Sequence, residues 1–172
     1  MQLRLAGIVK ESVVDGPGIR LVVFVQGCPH HCQGCHNPAS HDPAGGYNSS
    51  TKELLGELDK NKLVSGLTLS GGEPFGQLDA MIELAVGAKK RKLSVMVYTG
   101  YVFEELLTMG TEDDRVTQLL KLMDILVDGP FILEQRDIGL AFRGSGNQRL
   151  IDVPASLQTG GVVAWADPAW KY

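Results

Sequence analysis

Three cysteines in one short segment are the residues of this sequence with the clearest chemical potential. Cys28, Cys32 and Cys35 are the 3 cysteines of the chain, and they follow a Cys-x3-Cys-x2-Cys spacing. An odd number of thiols at so short a spacing does not form a disulfide framework. The spacing instead predicts that the thiols hold a metal or a haem, or that two of them form a redox pair.

Iron-sulfur clusters and zinc are the two metal centres that this thiol set can hold. Both usually take four ligands from the protein, so three thiolates leave one iron of a cubane cluster open to an outside ligand. Zinc can instead take a histidine as its fourth ligand, and the same segment offers His30, His31, His36 and His41. A zinc site usually joins two separated pairs of ligands, whereas all of these residues lie in one loop. The cluster is therefore favoured, and the zinc site stays open.

The C-x-x-C-H string at residues 32–36 also matches a covalent haem motif, and its two cysteines match a redox pair. Both chemistries leave Cys28 without a role. Haem attachment implies export, but Arg4 and Lys10 occupy the N-terminal segment where a signal peptide is apolar. A redox pair is expected to open a helix, which Asn37-Pro38 obstructs. Neither chemistry is favoured.

Alternating strand and helix patterns surround this segment and must position it. Apolar and β-branched runs predict strands at 20–26, 67–70, 93–98 and 124–127. Apolar residues at helical spacing predict helices at about 51–61, 78–92, 102–109 and 116–123. This alternation is typical of an α/β fold with a parallel sheet. The run at 150–153 is compatible with a fifth strand. The residues after Asp152, with Trp165 and Trp170, either dock a partner or close the fold, and packing is favoured because aromatic residues usually serve it.

The loop after each predicted strand carries residues that suit a ligand site. The cysteines follow the first strand, and the later loops contribute in turn Gly71, Gly72, Glu73 and Pro74, then Thr99-Gly100, then Asp128-Gly129-Pro130. Since the carboxyl ends of parallel strands meet at one edge, we expect a single composite site. Paired glycines let the backbone approach a ligand, and Glu73 adds a carboxylate that can bind an ammonium group.

The cysteines and the Gly-Gly-Glu-Pro element together resemble the radical S-adenosylmethionine (SAM) enzymes. The resemblance implies an α/β fold of the radical SAM type, an incomplete TIM-like barrel of parallel strands. It also implies a 4Fe-4S cluster held by Cys28, Cys32 and Cys35, with SAM on the open iron. Reductive cleavage of SAM there yields a 5'-deoxyadenosyl radical.

Three further motifs resemble one branch of these enzymes, the glycyl-radical-enzyme activases. DGPGIR at residues 15–20 is similar to their DGPG-x-R signature, and Gly34 between the last two cysteines fits the same branch. DGPF at 128–131 and RGSGNQR at 143–149 look like blocks of the activating proteins of anaerobic ribonucleoside-triphosphate reductase. The resemblance covers about residues 8–152. It implies that a glycine of the reductase large subunit loses a hydrogen atom, with reduced flavodoxin or ferredoxin as the electron donor.

The same resemblance implies roles for individual residues. SAM is expected to contact Gly34, Cys35 and His36 in the cysteine loop, Gly71, Gly72, Glu73 and Pro74 at its methionyl end, and Tyr98, Thr99 and Gly100 near its nucleoside. Asp15 and Arg143 are the residues expected to recognise the partner. None of them is expected to be a general acid or base, because the cofactor carries the chemistry.

Two alternative functions stay open at this point. One is a small radical SAM enzyme that acts on a small molecule, such as a 7-carboxy-7-deazaguanine synthase, although DGPG and RGSGNQR argue against it. The other is a non-catalytic zinc module with three cysteines and one histidine as ligands. Anaerobic reconstitution with iron and sulfide distinguishes iron from zinc directly.

Composition limits the other classes of partner. The 172 residues carry 16 Lys and Arg against 20 Asp and Glu, and this acidic balance does not favour nucleic acid. No apolar run is long enough to span a membrane, so we expect a single cytoplasmic domain of residues 1–172. The basic run at 89–92 ends a predicted helix, where the helix dipole favours cations. Docking of an acidic electron carrier on this run is a second interpretation.

Overall fold

The computed structural model describes residues 1–166, which form one seven-stranded sheet with five α-helices. The strands are β1 (Gln2–Ser12), β2 (Arg20–Val25), β3 (Tyr47–Ser50), β4 (Gly66–Gly71), β5 (Ser94–Tyr98), β6 (Ile125–Asp128) and β7 (Arg149–Asp152). The helices are α1 (Thr51–Lys60), α2 (Leu78–Lys90), α3 (Phe103–Glu112), α4 (Asp114–Leu122) and α5 (Val153–Thr159). The four predicted helices and the four predicted strands are therefore confirmed, and the fifth strand is β7.

The sheet has a parallel centre and antiparallel edges. Its order is β3-β1-β2-β4-β5-β6-β7, and β2, β4, β5 and β6 run parallel. β1 is antiparallel to β2 and β3, and β7 is antiparallel to β6. The α/β class is confirmed with a mostly parallel sheet, and the antiparallel strands β1, β3 and β7 lie toward its edges. The sheet is not a closed barrel, since β3 and β7 are its two edge strands.

The two strands that the sequence did not reveal, β1 and β3, lack a continuous apolar pattern. Leu3 and Leu5 of β1 are buried core residues, Ile8 packs half-buried against the core, and residues 9–11 are exposed. β3 reads YNSS and has no buried residue. It is a strand because it pairs with β1, from Gln2 opposite Ser50 to Leu5 opposite Tyr47. Such pairing depends on tertiary context and leaves no hydrophobic period in the sequence.

The helices cover one face of the sheet. Alternate strand residues, among them Leu21, Val23, Leu67, Leu69, Val95, Val97 and Leu126, join helical residues such as Leu54, Leu84, Leu106 and Leu119 in one buried apolar cluster. Because successive side chains of a strand point to opposite faces, the residues between them face away from the helices. α1 begins where the sequence predicted, since Ser50 and Glu53 form a capping box before Thr51.

The opposite face carries a smaller apolar cluster of Met96, Ile125 and Val127. Trp165 packs against this cluster and lies edge to face with Phe142 at a centroid distance of 6.5 Å. This contact agrees with a packing role for the segment after Asp152, while Trp170 lies outside the described residues. Within residues 1–166, no helix is both long and apolar enough to cross a bilayer.

Candidate functional site

Loops after the four parallel strands converge on one cavity of ≈110 Å³ at the carboxyl edge of the sheet. The cysteine loop contributes Cys28, His30, Cys32, Cys35 and His41 to its lining. The ends of the other strands and the loops after them contribute Ser70, Gly71, Gly72, Tyr98, Thr99, Gly100, Gly129 and Phe131. The convergence expected from the order of strands and helices is therefore present in the structure. Gln148 lines the same cavity from the far end of the RGSGNQR segment.

The three thiols are free and half-buried in the wall of this cavity. Burial raises the pKa of the Cys28 thiol, while the backbone N–H groups of His30 and His31 oppose this shift by favouring the thiolate. The N–H of Asn37 donates to Cys35 Sγ at 3.4 Å. N–H donors around cysteine sulfur are characteristic of iron-sulfur sites, and three soft sulfur ligands on one wall fit an iron-sulfur cluster.

The thiols share this wall without surrounding a single point. In the described part of the chain, no group of three or more His, Cys, Asp and Glu side chains is arranged to hold a metal ion. A cubane cluster differs from a single ion because it takes each thiolate on a different iron. The histidines also have other neighbours: His30 lies against Glu73, the His31 and His41 rings lie edge to face with centroids 5.0 Å apart, and the His36 ring centroid lies 5.2 Å from that of Phe131.

Glu73 is a buried residue behind the cavity wall whose carboxylate binds several loops. It is 1% exposed and does not line the cavity, and Pro74 is buried beside it. Its carboxylate accepts hydrogen bonds from Thr99 Oγ1 at 3.0 Å, from the N–H of Gly100 at 3.0 Å and from the N–H of Phe75 at 3.1 Å. His30 Nε2 lies 2.8 Å from Glu73 Oε2. Glu73 therefore ties the loops after β2, β4 and β5 to one another, and its carboxylate faces inward.

The paired glycines bring the loop after β4 into direct contact with the start of the cysteine loop. Gly71 has a φ of 101°, which favours glycine, and a Cβ there would contact the backbone of Phe24 and Val25. A Cβ on Gly72 would collide with the carbonyl of Gly27, although the φ of Gly72 lies outside the left-handed region. The Glu73 N–H donates to the same carbonyl at 2.8 Å. Glycine at position 72 is thus explained by packing against the residue before Cys28.

A second cavity of ≈300 Å³ adjoins the first and shares Cys35, Tyr98 and Gln148 with it. Asp15 and His36 line this second cavity. Burial raises the pKa of the Tyr98 hydroxyl, so this group is neutral in the range where proteins work. The structure therefore places Asp15 close to the third cysteine, as a composite site requires.

Gly34 lies outside the lining of both cavities. Its φ is 74°, and a Cβ there would lie 2.9 Å from a methyl group of Leu133 and 3.4 Å from the Phe131 ring. Glycine between the last two cysteines therefore allows both the left-handed backbone and close packing on the DGPF segment.

The DGPF and RGSGNQR segments form one clasp, defined here as residues 128–131 and 143–149. Arg149 pairs with the buried Asp128 and, at 2.7 Å, with Glu104, and both carboxylates raise the pKa of its guanidinium. Asn147 Nδ2 donates to the Pro130 carbonyl at 2.8 Å, and Gln148 Nε2 donates to the Gly129 carbonyl at 3.1 Å. The sequence marked both segments, but not that their polar side chains bind each other. Gln148 and Phe131 of the clasp reach the cavity and were not predicted as site residues.

Arg143, predicted to contact the partner, is not brought into either of these cavities. It lines a separate recess of ≈370 Å³ together with Arg149 and Trp165, and donates weakly to the carbonyls of Ala141 and Gln148 at 3.4 Å. A larger cavity of ≈670 Å³ lies between the N-terminus and the start of α2, and none of the predicted site residues lines it. The site is therefore assigned by its chemistry, not by its size.

Neighbouring carboxylates partly neutralise the positive charge of the basic run at 89–92. Lys89 pairs with Asp124 at 2.5 Å, and Arg91 pairs with Asp59 at 2.7 Å. Lys89 and Lys90 fall in the last turn of α2, as predicted from the helix dipole.

Comparison with known proteins agrees with this site. Residues 14–151 match the family described as a 4Fe-4S single cluster domain. The anaerobic ribonucleoside-triphosphate reductase-activating protein of Vibrio cholerae is 38% identical over 145 residues, which cover 80% of this chain and 90% of that protein. The proteins of the same name from Haemophilus influenzae and Escherichia coli are 36% and 31% identical, with the same coverage. The chain therefore belongs to the 4Fe-4S single cluster family, among the anaerobic ribonucleoside-triphosphate reductase-activating proteins.

Proposed function

We propose that this chain, as a single domain, is the radical SAM enzyme that activates an anaerobic ribonucleoside-triphosphate reductase by forming a glycyl radical on its large subunit. The observation that carries the proposal is that three free thiols and three neighbouring loops border one cavity in a chain of this family. The family name and the 4Fe-4S description supply the reaction class.

In this proposal Cys28, Cys32 and Cys35 would hold the cluster, and the iron without a cysteine ligand would be available to SAM. When bound, the cluster and SAM would supply one-electron reductive cleavage of SAM to methionine, coupled to removal of one hydrogen atom from the glycine with formation of 5'-deoxyadenosine. The electron comes from a reduced flavodoxin or ferredoxin. A reducing cytoplasm suits this chemistry because it keeps the thiols free.

The residues of the chain bind and orient the reactants. Gly71 and Gly72 let the loop after β4 approach the cysteine loop, and Tyr98 and Thr99 line the same ≈110 Å³ cavity. We assign this cavity, together with the adjoining part of the ≈300 Å³ cavity at Cys35 and His36, to the cluster and SAM, because a ligand of this size needs several hundred Å³. We assign the Asp15 side of the ≈300 Å³ cavity to the glycine-bearing segment of the reductase. A reductase segment docked there would cover the opening of the cavity, and excluding water protects a reactive radical from side reactions.

The sheet supports an interpretation as an incomplete TIM-like barrel. Its four parallel strands end at the candidate site, and the face opposite the helices borders Asp15 and the cavity that it lines. In a barrel of this kind the site lies at the carboxyl ends of the strands. A partly open barrel also leaves room for a protein substrate.

Anaerobic reconstitution followed by EPR spectroscopy tests the proposal. The protein should bind a 4Fe-4S cluster whose spectrum changes on addition of SAM, and should produce 5'-deoxyadenosine with a chemical reductant. With the reductase large subunit present, an EPR signal of a glycyl radical should appear. An intact cluster that yields no glycyl radical on the cognate reductase, but turns over a small molecule, would instead support the 7-carboxy-7-deazaguanine synthase alternative.

A further inference from the structure

Arg20, the last residue of the DGPGIR segment, is a buried cation with only neutral hydrogen-bond partners. It is 0% exposed and lies on the face of the sheet opposite the helices. Burial lowers its pKa to about 10, so it is still charged at neutral pH. Within residues 1–166, no carboxylate forms an ion pair with it. Burying this charge costs desolvation free energy that an apolar side chain would avoid. A role for the charge is therefore expected in its hydrogen bonds.

The hydrogen bonds of Arg20 lead to the turn that contains Asp15. Arg20 Nη1 donates to the Pro17 carbonyl at 3.1 Å, and Arg20 Nε donates to Thr68 Oγ1 at 2.6 Å. The Thr68 hydroxyl in turn donates to the Asp15 carbonyl at 2.8 Å. Two carbonyls on either side of Gly16 are therefore anchored to one guanidinium, one directly and one through a hydroxyl.

The remaining hydrogen bonds of Arg20 fix its own position on the sheet. Arg20 Nη2 donates to the Leu67 carbonyl at 2.8 Å, and Arg20 Nη1 donates to Ser94 Oγ at 2.9 Å. These partners belong to β4 and β5, two central strands of the parallel sheet. The turn is thus tied to the buried centre of the sheet.

Two glycines leave the space that the guanidinium occupies. A Cβ on Gly16, whose φ is 132°, would lie 2.7 Å from Arg20 Cδ and 2.6 Å from Met96 Sδ. A Cβ on Gly66, which pairs with Arg20 across the strands, would collide with the guanidinium itself. The last residue of the DGPG-x-R motif, Arg20, therefore holds the turn that contains the first residue, Asp15.

We infer that Arg20, acting through Thr68, is a positioning residue that holds Asp15 at the wall of the ≈300 Å³ cavity and so sets how the glycine-bearing segment is presented. The inference rests on the proposed function. Asp15 lines this cavity beside Cys35, and its carboxylate accepts a hydrogen bond from Ser12 Oγ. Arg20 itself does not line the cavity, so its influence passes through the turn.

Thr68 offers the sharper test, because removal of Arg20 would leave a large hole in the fold. Thr68→Val keeps the shape of the side chain and removes the hydroxyl, whereas Thr68→Ser keeps the hydroxyl and removes a methyl group. The measured quantity is the glycyl radical formed on the reductase per 5'-deoxyadenosine. We expect Thr68→Val to lower this ratio about tenfold, the size of a lost hydrogen bond to a charged group. Thr68→Ser should keep the ratio, and both variants should keep uncoupled SAM cleavage.

A double variant and hydrogen exchange separate positioning from general stability. If Thr68 acts through Asp15, Asp15→Ala should lower the ratio by itself and add little to Thr68→Val. Backbone amides of residues 13–16 and 18 should exchange faster in Thr68→Val than in Thr68→Ser; Pro17 has no N–H. Equal ratios and equal exchange in the two Thr68 variants would overturn the inference. Absence of a glycyl radical with the wild-type protein would reject the proposed function, while exchange in the Thr68 pair would still decide whether the turn is anchored in this way.

Discussion

The two faces of the central sheet are built from the same strands but differ in kind. On the helical face, Leu67 and Leu69 of β4 are completely buried in a continuous apolar cluster. On the other face, Thr68 of the same strand bonds to Arg20 and Asp15, and Ser70 lines both cavities of the site. The alternation of side chains along a strand separates these environments by a single residue.

Because of this difference, residues that stabilise the fold and residues that bind the cofactor lie mainly in different parts of the sheet. Burial of apolar surface on the helical face supplies the driving force for folding. The opposite face and the carboxyl edge carry buried polar groups, left-handed glycines and free thiols, none of which a fold needs for its core. Substitutions on the helical face should therefore act on stability, and substitutions at the edge should act on cofactor binding and reaction.

Replacement of the cysteines is expected to cause the largest loss of activity. Cys28→Ala, Cys32→Ala and Cys35→Ala should each abolish SAM cleavage, because a cluster with two protein thiolates cannot keep its differentiated iron. The melting temperature of the apoprotein should change little, since all three thiols are only half-buried. Formation of 5'-deoxyadenosine at the wild-type rate in any of the three would reject the cluster assignment.

His36→Ala is the matched control for these variants. His36 is exposed, lies 5.2 Å from the Phe131 ring and is next to Cys35 in sequence. It should keep a full complement of iron, measured by metal analysis and absorption. Loss of iron in this variant would favour a site of three cysteines and one histidine.

On the helical face, Leu69→Ala is expected to lower the stability of the fold and not the activity. Leu69 is 0% exposed, and its removal leaves a cavity between β4 and the helices. The free energy of unfolding, from urea titration of the apoprotein, should fall by about 2–5 kcal/mol. Reconstituted protein that remains folded should still cleave SAM at the normal rate. A variant with normal stability and lost cleavage would contradict the separation of the two faces.

The elements that the sequence predicts well are those whose apolar period is local. The four central strands and the helices between them are read directly from such runs, whereas β1 and β3 depend on pairing with distant segments. The cysteines and paired glycines are equally local signals. Three other features could not be predicted from the sequence, because each depends on contacts between segments far apart in the chain. They are the burial of Arg20, the inward orientation of the Glu73 carboxylate and the position of Gln148 in the cavity lining.

Gly72 lies where the two environments meet, and Gly76 provides a control only four positions away. A Cβ on Gly72 would collide with the Gly27 carbonyl, while a Cβ on Gly76 would meet nothing within 4 Å. The Gly72 N–H also donates to the Val25 carbonyl at 2.7 Å, so the loop cannot move without losing a backbone hydrogen bond.

Gly72→Ala should therefore push the loop after β4 away from Gly27 and disturb the neighbouring Cys28. We expect the free energy of unfolding to fall by about 1–3 kcal/mol, as for other overpacked sites. SAM affinity, measured by titration of the reconstituted protein, should weaken while the absorption spectrum of the cluster persists. Gly76→Ala should leave both quantities unchanged, because its site is open. Equal SAM affinity in the two variants would mean that contact between this loop and the cysteine loop does not shape the SAM site.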